Sequence, residues 1–166
     1  MNAGAYGSEM KNIVLRTEYY YNGEIKTAEK EDHRFGNRDS IFRRMPGCII
    51  IRTELMLEKG IKENISARMK ELSAKRRASQ PLEYPSAGSV FKRPEGYFAG
   101  KLIEDCGLKG LSVGGAEVSE KHAGFIINRK DASSEDIYRL IIRVQDEVSG
   151  RFGVKLCPEI IFLGEF

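Results

Sequence analysis

The sequence has no tryptophan, only two histidines and three cysteines, and no long apolar run. A membrane-spanning helix needs about 18 or more consecutive apolar residues, so no transmembrane segment is expected. Residues 1–9 are small and polar, unlike the basic and apolar stretches of a signal peptide, so a cytoplasmic location is expected. Because Cys48, Cys106 and Cys157 form no CxxC pair, we expect buried, reduced thiols rather than a metal or redox site.

The charge pattern indicates no nucleic-acid partner. The formal net charge of the 166 residues is +3, and the basic residues concentrate in 70–77, which is typical of a solvated helix end. The chain also lacks metal-ligand spacings and the GxGxxG phosphate motif. Its composition, 41% hydrophobic and 31% charged, fits one globular domain, or one domain plus part of another.

The first half of the chain predicts a hairpin, a strand and a helix. Residues 13–21 and 24–27 flank Asn22-Gly23, a dipeptide that suits tight turns with positive φ. Residues 47–57 predict a strand with one end fully buried. Residues 61–77 predict an amphipathic helix with apolar positions at helical spacing: Ile61, Ile65, Met69 and Leu72.

The second half alternates helices and strands without a repeat. Short elements are expected at 98–106 (helix), 116–119 and 124–128 (strands). A longer helix with a capping box is expected over 133–153, and a final strand over 160–163. The predicted class is α+β.

Residues 85–94, Pro-Ser-Ala-Gly-Ser-Val-Phe-Lys-Arg-Pro, form the segment most suggestive of chemistry. Ser89 can be held rigidly between Gly88 and the Val-Phe pair, while Lys92 and Arg93 supply cations suited to a phosphate group. The bland alternative, a connecting loop at a domain boundary, stays open. A hydrolase nucleophile is a poor fit, because Ser89 lacks the Gly-x-Ser-x-Gly context and a paired base.

Three further polar residues each allow a functional and a structural interpretation. Arg38 can brace a carboxylate or form a salt bridge with a nearby acid. Glu159, before an apolar run, either has a task or faces solvent. His122 is a candidate ligand contact or a satisfied structural residue, and His33, in a polar stretch, is expected to be exposed. The small residues 1–7 suit a close backbone approach to a ligand or a disordered terminus.

The order of these segments resembles one family, the UDP-N-acetylenolpyruvoylglucosamine reductases, also called UDP-N-acetylmuramate dehydrogenases, of bacterial peptidoglycan-precursor synthesis. The resemblance covers essentially the whole chain, and the segment around Ser89 is its most specific part. It is carried by Asn-Ala-Gly-Ala-Tyr-Gly at 2–7, Phe-Gly-x-Arg-Asp-Ser-x-Phe at 35–42, Gln-Pro-Leu-x-Tyr-Pro-Ser-Ala-Gly-Ser-Val-Phe-Lys-Arg-Pro at 80–94, Ala-Gly-Lys-Leu-Ile-Glu at 99–104, Gly-Leu-Lys-Gly at 107–110, Gly-Gly-Ala-x-Val-Ser-Glu-Lys-His-Ala-Gly-Phe-Ile-x-Asn at 114–128 and Pro-Glu at 158–159.

The resemblance implies a mechanism. NADPH reduces a bound FAD, and the flavin passes hydride to the enolpyruvyl group of a UDP-sugar. Ser89 matches the family's proton donor, Arg38 the residue that braces the developing enolate, and Glu159 the carboxylate that works with it at the same site.

The resemblance also implies binding residues. Lys92, Arg93 and His122 fall where the family contacts the nucleotide diphosphate. The segment near the flavin is matched by Asn2, Gly4, Tyr6 and Gly7.

Two departures qualify this expectation. Asn37 stands where the family usually has tyrosine before the arginine, and most of the family's flavin-binding domain precedes the segment that is residue 1 here. Residues 1–78 are therefore expected to be a remnant of that domain, and 79–166 the substrate-binding domain. Such a chain is expected to hold FAD poorly, to be inactive alone and to self-associate through exposed strands. The alternative is a non-catalytic UDP-sugar-binding module.

Overall fold

The structure, a computed structural model, describes residues 1–36 and 38–164. The expectation that Asn37 alters the seating of Arg38 lies outside the described residues. The chain divides into two compact units, unit 1 from Met1 to Lys62 and unit 2 from Glu63 onward. Helices and antiparallel sheets are both present, so the predicted α+β class is confirmed.

Unit 1 contains two antiparallel sheets. The smaller pairs β1 (Gly4–Ala5) with β2 (Ser8–Glu9). The larger has the order β4-β3-β5, with β3 at Val14–Tyr21, β4 at Glu24–Glu29 and β5 at Ile49–Leu55. Short 3-10 helices occupy Met10–Asn12, Lys30–His33 and Ile41–Arg44.

The predicted hairpin is confirmed. Tyr21 pairs with Glu24 across Asn22 and Gly23, whose φ angles of 53° and 85° are those of a type I′ turn. A two-residue turn of this kind fixes the β3–β4 register.

The predicted burial of β5 is wrong. Ile49, Ile50 and Ile51 are 61%, 50% and 51% exposed. The strand is at the sheet edge, where its isoleucines are only partly covered. The apolar residues therefore predicted a strand correctly but did not predict its burial.

The predicted helix is present as α1, Lys62–Ser79, although its apolar stripe is not packed. Ile61, Ile65 and Met69 are all exposed. Glu71 forms ion pairs with Arg68 and Lys75 on the surface of the helix. Hydrogen bonds from Lys75 and then Arg68 lower the pKa of Glu71 to about 2.

Unit 2 is built on a four-stranded antiparallel sheet of order β6-β9-β8-β7. The strands are β6 (Ser86–Ser89), β7 (Ser112–Val113), β8 (Ala116–Val118) and β9 (Phe125–Asn128). The unit also contains helices α2 (Ala99–Asp105) and α3 (Ser134–Phe152), together with α1 from Glu63 onward.

Helix α3 begins and ends as the sequence predicts. The Ser133 hydroxyl accepts a hydrogen bond from the Asp136 amide at 3.1 Å, and the Ser133 amide donates to the Asp136 carboxylate at 2.9 Å. Gly153 ends the helix with φ of 64°. The inner face of α3 forms the centre of the core with four fully buried residues: Leu140, Ile141, Val144 and Val148.

Two expectations for unit 2 are wrong. The strand predicted over 160–163 is irregular chain, and the pairing nearby is a bridge between Phe91 and Pro158. Cys157 is exposed rather than buried, because its neighbour Leu156 takes the inward position. Cys48 and Cys106 are half-buried.

No helix in the described part of the chain is long and apolar enough to cross a membrane. Within residues 1–36 and 38–164, no group of three or more histidine, cysteine or acidic side chains is placed to hold a metal ion.

Candidate functional site

Ser89 is the last residue of strand β6 and is exposed. Its segment lies between strand β9 and the chain around Glu159. Ser89 pairs with Phe125 of β9, and the next residue, Val90, donates to the Gly124 carbonyl at 2.9 Å. The β6–β9 register is irregular just before Ser89, where Gly88 has φ of 85°. A residue with a Cβ would adopt this conformation only with strain. The hydroxyl therefore sits on a fixed backbone at the surface.

Glu159 lies beside the same segment. Its amide donates to the Val90 carbonyl at 2.7 Å, and the Lys92 amide donates to the Cys157 carbonyl at 2.8 Å. Two antiparallel backbone contacts thus join the Ser89 segment to the chain around Glu159, and the Glu159 side chain is half-buried. The structure brings these two predicted residues into neighbouring positions although 70 residues separate them in sequence.

His122 lies shortly before Gly124 and Phe125, the two residues that pair with the Ser89 segment. It lies in the turn between β8 and β9, where its Nδ1 accepts a hydrogen bond from the Gly124 amide at 3.1 Å. The neutral ring consequently carries its proton on Nε2. Its edge contacts the Phe125 ring with centroids 4.9 Å apart, so the imidazole has a fixed orientation.

Lys92 and Arg93 behave differently. Buried Val90 and Phe91 anchor the segment, and Lys92 extends into solvent. The Arg93 guanidinium instead lies 3.9 Å from the centre of the Phe98 ring, and its Nε donates to the Tyr97 carbonyl at 3.3 Å. Lys92 is therefore an exposed cation available to an anion, whereas the Arg93 cation is already stacked on an aromatic ring.

Arg38 belongs to unit 1 and occupies a tight turn. Gly36 and Asp39 exchange two backbone hydrogen bonds of 3.1 and 3.4 Å, and Arg38 has φ of 54°, which is uncommon for a residue other than glycine. Arg44 pairs with the Asp39 carboxylate, and this contact is the main reason that the pKa of Asp39 lies below its usual value. The acid beside Arg38 is thus paired with Arg44.

The N-terminal hairpin contains the other predicted residues of unit 1. Tyr6 and Gly7 form its turn with φ of 53° and 87°. At Gly4 a Cβ would lie 2.7 Å from the Ser8 carbonyl oxygen, so only glycine fits. Tyr6 is exposed at the tip, where a ligand can reach it.

Asn2 connects this hairpin to the Arg38 turn. Its side-chain amide donates to Glu9 at 2.5 Å and to the Gly36 carbonyl at 3.3 Å, and its oxygen accepts from the Lys11 amide at 3.0 Å. The residue is buried. Its polar atoms are therefore used within the chain.

These residues fit only part of a flavin cofactor. The hairpin tip offers an exposed aromatic ring at Tyr6, whereas the space beside Gly4 is filled by Ser8 and Glu9 of the same hairpin. The sequence contains no glycine-rich phosphate loop for the FAD diphosphate, and the Asn2 amide is already occupied. The described residues do not make up a complete FAD site.

Sequence reasoning misplaced His33, which is 1% exposed and hydrogen-bonded through both ring nitrogens. The available signal was its position between Thr17 on the predicted hairpin and the aromatic residues Phe35 and Phe42. These residues come together only when the hairpin folds back on this segment, so the sequence alone did not predict the burial of His33.

Comparison with known proteins agrees with the motif order. The family model for the C-terminal domain of UDP-N-acetylenolpyruvoylglucosamine reductase matches residues 80–163. The UDP-N-acetylenolpyruvoylglucosamine reductases of Caldanaerobacter subterraneus subsp. tengcongensis and Clostridium beijerinckii are each 51% identical to the chain over 99% of its length. These alignments cover 55% and 54% of the two relatives, so the chain spans about half the length of the curated relatives it matches.

A solved structure extends the match to the fold. The crystal structure of UDP-N-acetylenolpyruvylglucosamine reductase from Thermus caldophilus superposes with a TM-score of 0.79 at 36% identity, covering 94% of this chain and 56% of that chain. The chain belongs to the UDP-N-acetylenolpyruvoylglucosamine reductase family.

Proposed function

We propose that this chain supplies substrate-side residues for the reduction of UDP-N-acetylglucosamine enolpyruvate to UDP-N-acetylmuramate. The observation that carries the proposal is the arrangement around Ser89. Its hydroxyl is exposed on a backbone held by Gly124 on one side and Glu159 on the other. Membership of the reductase family supports the same reaction.

When bound and reduced by NADPH, FAD would supply the hydride that the enolpyruvyl group accepts. Ser89 donates the proton that the resulting enolate carbon needs, and Glu159 lies beside it as the partner carboxylate. Arg38 stabilises negative charge on the enolate. Lys92, Arg93 and His122 bind the diphosphate of the UDP-sugar, with Lys92 the more adaptable of the two cations because Arg93 is already stacked on Phe98.

We further propose that residues 1–78 belong to the flavin-binding domain and 79–166 to the substrate domain, an assignment supported by the family match over 80–163. The Asn2, Gly4, Tyr6 and Gly7 hairpin then contacts the flavin. By itself the 166-residue chain should not retain FAD and should have little turnover, because it carries no diphosphate loop.

The test uses a full-length relative. The matching stretch of the Clostridium beijerinckii reductase is replaced by these 166 residues, and the two half-reactions are followed by flavin absorbance. Ser89→Ala should slow reoxidation of the flavin by the enolpyruvyl UDP-sugar by about 10²–10⁴-fold and leave reduction by NADPH unchanged. Ser86→Ala, an exposed serine of the same strand, is the control. Equal rates for Ser89→Ala and the parent chimera would remove Ser89 from the mechanism.

The alternative, a UDP-sugar-binding module without redox activity, is favoured by one observation: unit 2 has an extensive core of its own. This alternative predicts micromolar binding of UDP-N-acetylglucosamine by the isolated chain, measured by calorimetry, without flavin. The reductase proposal predicts weak binding by the isolated chain and tight binding by the chimera.

We also propose that the isolated chain self-associates through β5. Its edge and exposed isoleucines offer a row of backbone groups beside apolar side chains. Ile50→Lys should abolish concentration dependence in sedimentation velocity, whereas the equivalent change at exposed Ile161 should not. Identical sedimentation of both variants would exclude β5 as the contact.

A further inference from the structure

His33 is a buried histidine that the proposed chemistry does not use. Its Nδ1 lies 2.8 Å from the Glu29 carbonyl oxygen and 3.1 Å from the Lys30 carbonyl oxygen. Carbonyl oxygens only accept hydrogen bonds, so Nδ1 carries a proton in either charge state of the ring. One edge of the imidazole is therefore fixed to the chain that leads into the 3-10 helix Lys30–His33.

The opposite edge is fixed to the sheet. Nε2 lies 2.8 Å from the Thr17 hydroxyl on β3, and that hydroxyl lies 3.1 Å from the Thr53 hydroxyl on β5. Thr17 is buried as deeply as His33. The chain of three side chains ties the imidazole to two neighbouring strands.

The faces of the ring contact the two aromatic residues that flank Arg38. Phe35 stacks on His33 with centroids 4.9 Å apart and planes 12° apart, and Phe42 meets it edge-on at 5.7 Å. Phe35 precedes Arg38 by three residues and Phe42 follows Arg38 by four. Both ends of the segment that presents Arg38 thus rest on one imidazole.

That segment needs such support. Arg34 and Arg38 have φ of 45° and 54°, a left-handed conformation that costs energy for residues with a Cβ. Conformations of this kind persist where the surroundings fix the chain on both sides. The reciprocal hydrogen bonds between Gly36 and Asp39 close the turn itself but do not attach it to the sheet.

We infer that His33 is a positioning residue for Arg38: its imidazole, fixed between Thr17 and the Glu29 carbonyl, holds Phe35 and Phe42 so that the left-handed turn keeps one conformation. The inference rests on the role proposed for Arg38 in stabilising the enolate. In this chain, His33 connects the Arg38 turn to the β3–β4–β5 sheet, so that the rigid sheet limits the motion of the turn.

The test is hydrogen exchange by NMR on the 166-residue chain, which requires neither flavin nor substrate. The Gly36 and Asp39 amides report on the turn, and amides of β3 report on the sheet. His33→Phe keeps a ring between Phe35 and Phe42 but removes the hydrogen bonds. We expect the two turn amides to exchange about tenfold faster relative to the β3 amides, the factor that corresponds to one lost buried hydrogen bond.

Two further variants separate positioning from general destabilisation. His33→Gln can still bond Thr17 and should restore part of the protection of the turn. Val14→Ala, which removes buried side-chain atoms from β3, should raise exchange in the sheet without a selective effect on the turn. Equal acceleration of turn and sheet by His33→Phe, or no acceleration of either, would overturn the inference.

If His33→Phe does not fold, Phe35→Leu decides the question, because it removes the stacking contact and leaves the hydrogen bonds in place. Selective loss of turn protection supports positioning, and unchanged protection contradicts it. Since the readout is independent of activity, failure here is distinguishable from failure of the proposed reaction.

Discussion

Two apolar strand segments of this chain have opposite fates. In β5, Ile49, Ile50 and Ile51 are exposed, whereas Phe125, Ile126 and Ile127 of β9 are 7%, 6% and 2% exposed. Strand β9 lies between β6 and β8, while β5 has a neighbour on one side in the described chain. Apolar, β-branched residues establish that a segment suits a sheet, and its neighbours decide whether it enters a core.

The interiors of the two units differ in the polarity of their buried side chains. Unit 2 is centred on aliphatic side chains, with Leu140 and Ile141 of α3 fully buried. Unit 1 buries a larger share of polar residues, among them Thr17 and His33, which satisfy each other by hydrogen bonding. We therefore expect unit 2 to be sensitive to lost volume and unit 1 to lost hydrogen bonds.

The largest expected effect separates the two strands. Ile127→Ala should lower the free energy of unfolding by about 2–5 kcal/mol because it leaves a cavity, and Ile50→Ala should change it by less than about 1 kcal/mol. Urea unfolding followed by circular dichroism measures both. A comparable loss at Ile50 would mean that β5 is covered in solution.

The next effect tests the polar interior of unit 1. Thr17→Val keeps the volume and removes the hydroxyl that bonds His33 Nε2, so we expect a loss of about 1–3 kcal/mol. Thr53→Val, at an exposed position, should cost less. If both changes were neutral in thermal unfolding, the hydrogen-bonded chain would not stabilise unit 1.

A smaller effect is expected at the start of α3. Ser133→Ala removes the acceptor for the Asp136 amide and should cost about 1 kcal/mol, whereas Ser134→Ala, one residue into the helix, should be nearly neutral. Chemical unfolding of the two alanine variants provides the comparison. Equal stabilities would show that the capping box does not stabilise α3.

The smallest expected effect depends on pH. Hydrogen bonds from the Ser133 amide, the Ser133 hydroxyl and then the Gly115 amide lower the pKa of Asp136. A lowered folded-state pKa stabilises the protein fully above the unfolded value of about 3.9, and this contribution is lost as pH falls through the folded value. The stability gap between the parent and Asp136→Asn should therefore shrink below that pH. A gap that is constant from pH 7 to acid would contradict the assignment.

Local features were predictable because neighbouring residues specify them. Asn22-Gly23 specified the hairpin, and Ser133 with Asp136 specified the start of α3. The proximity of Ser89 to Glu159 was implied by the family's motif order, and the backbone contacts through Val90 now account for it. The catalytic roles themselves stay predictions.

Other features were beyond local reasoning. The periodicity of α1 predicted a helix correctly but gave no information about a partner for Ile65 and Met69. The polar surroundings of His33 suggested exposure, since its hydrogen-bond partner Thr17 lies 16 residues away in the sequence. Cys157 was misjudged because Leu156 took the inward position.

The sequence by itself determined the turns, the caps, the α+β class and the family, because each depends on residue types at short or ordered spacing. Tertiary structure decided which apolar strand is buried and that His33 packs against Phe35 and Phe42, on either side of Arg38. These outcomes depend on which surfaces meet when the chain closes, and burial is a property of the pair of surfaces rather than of either segment.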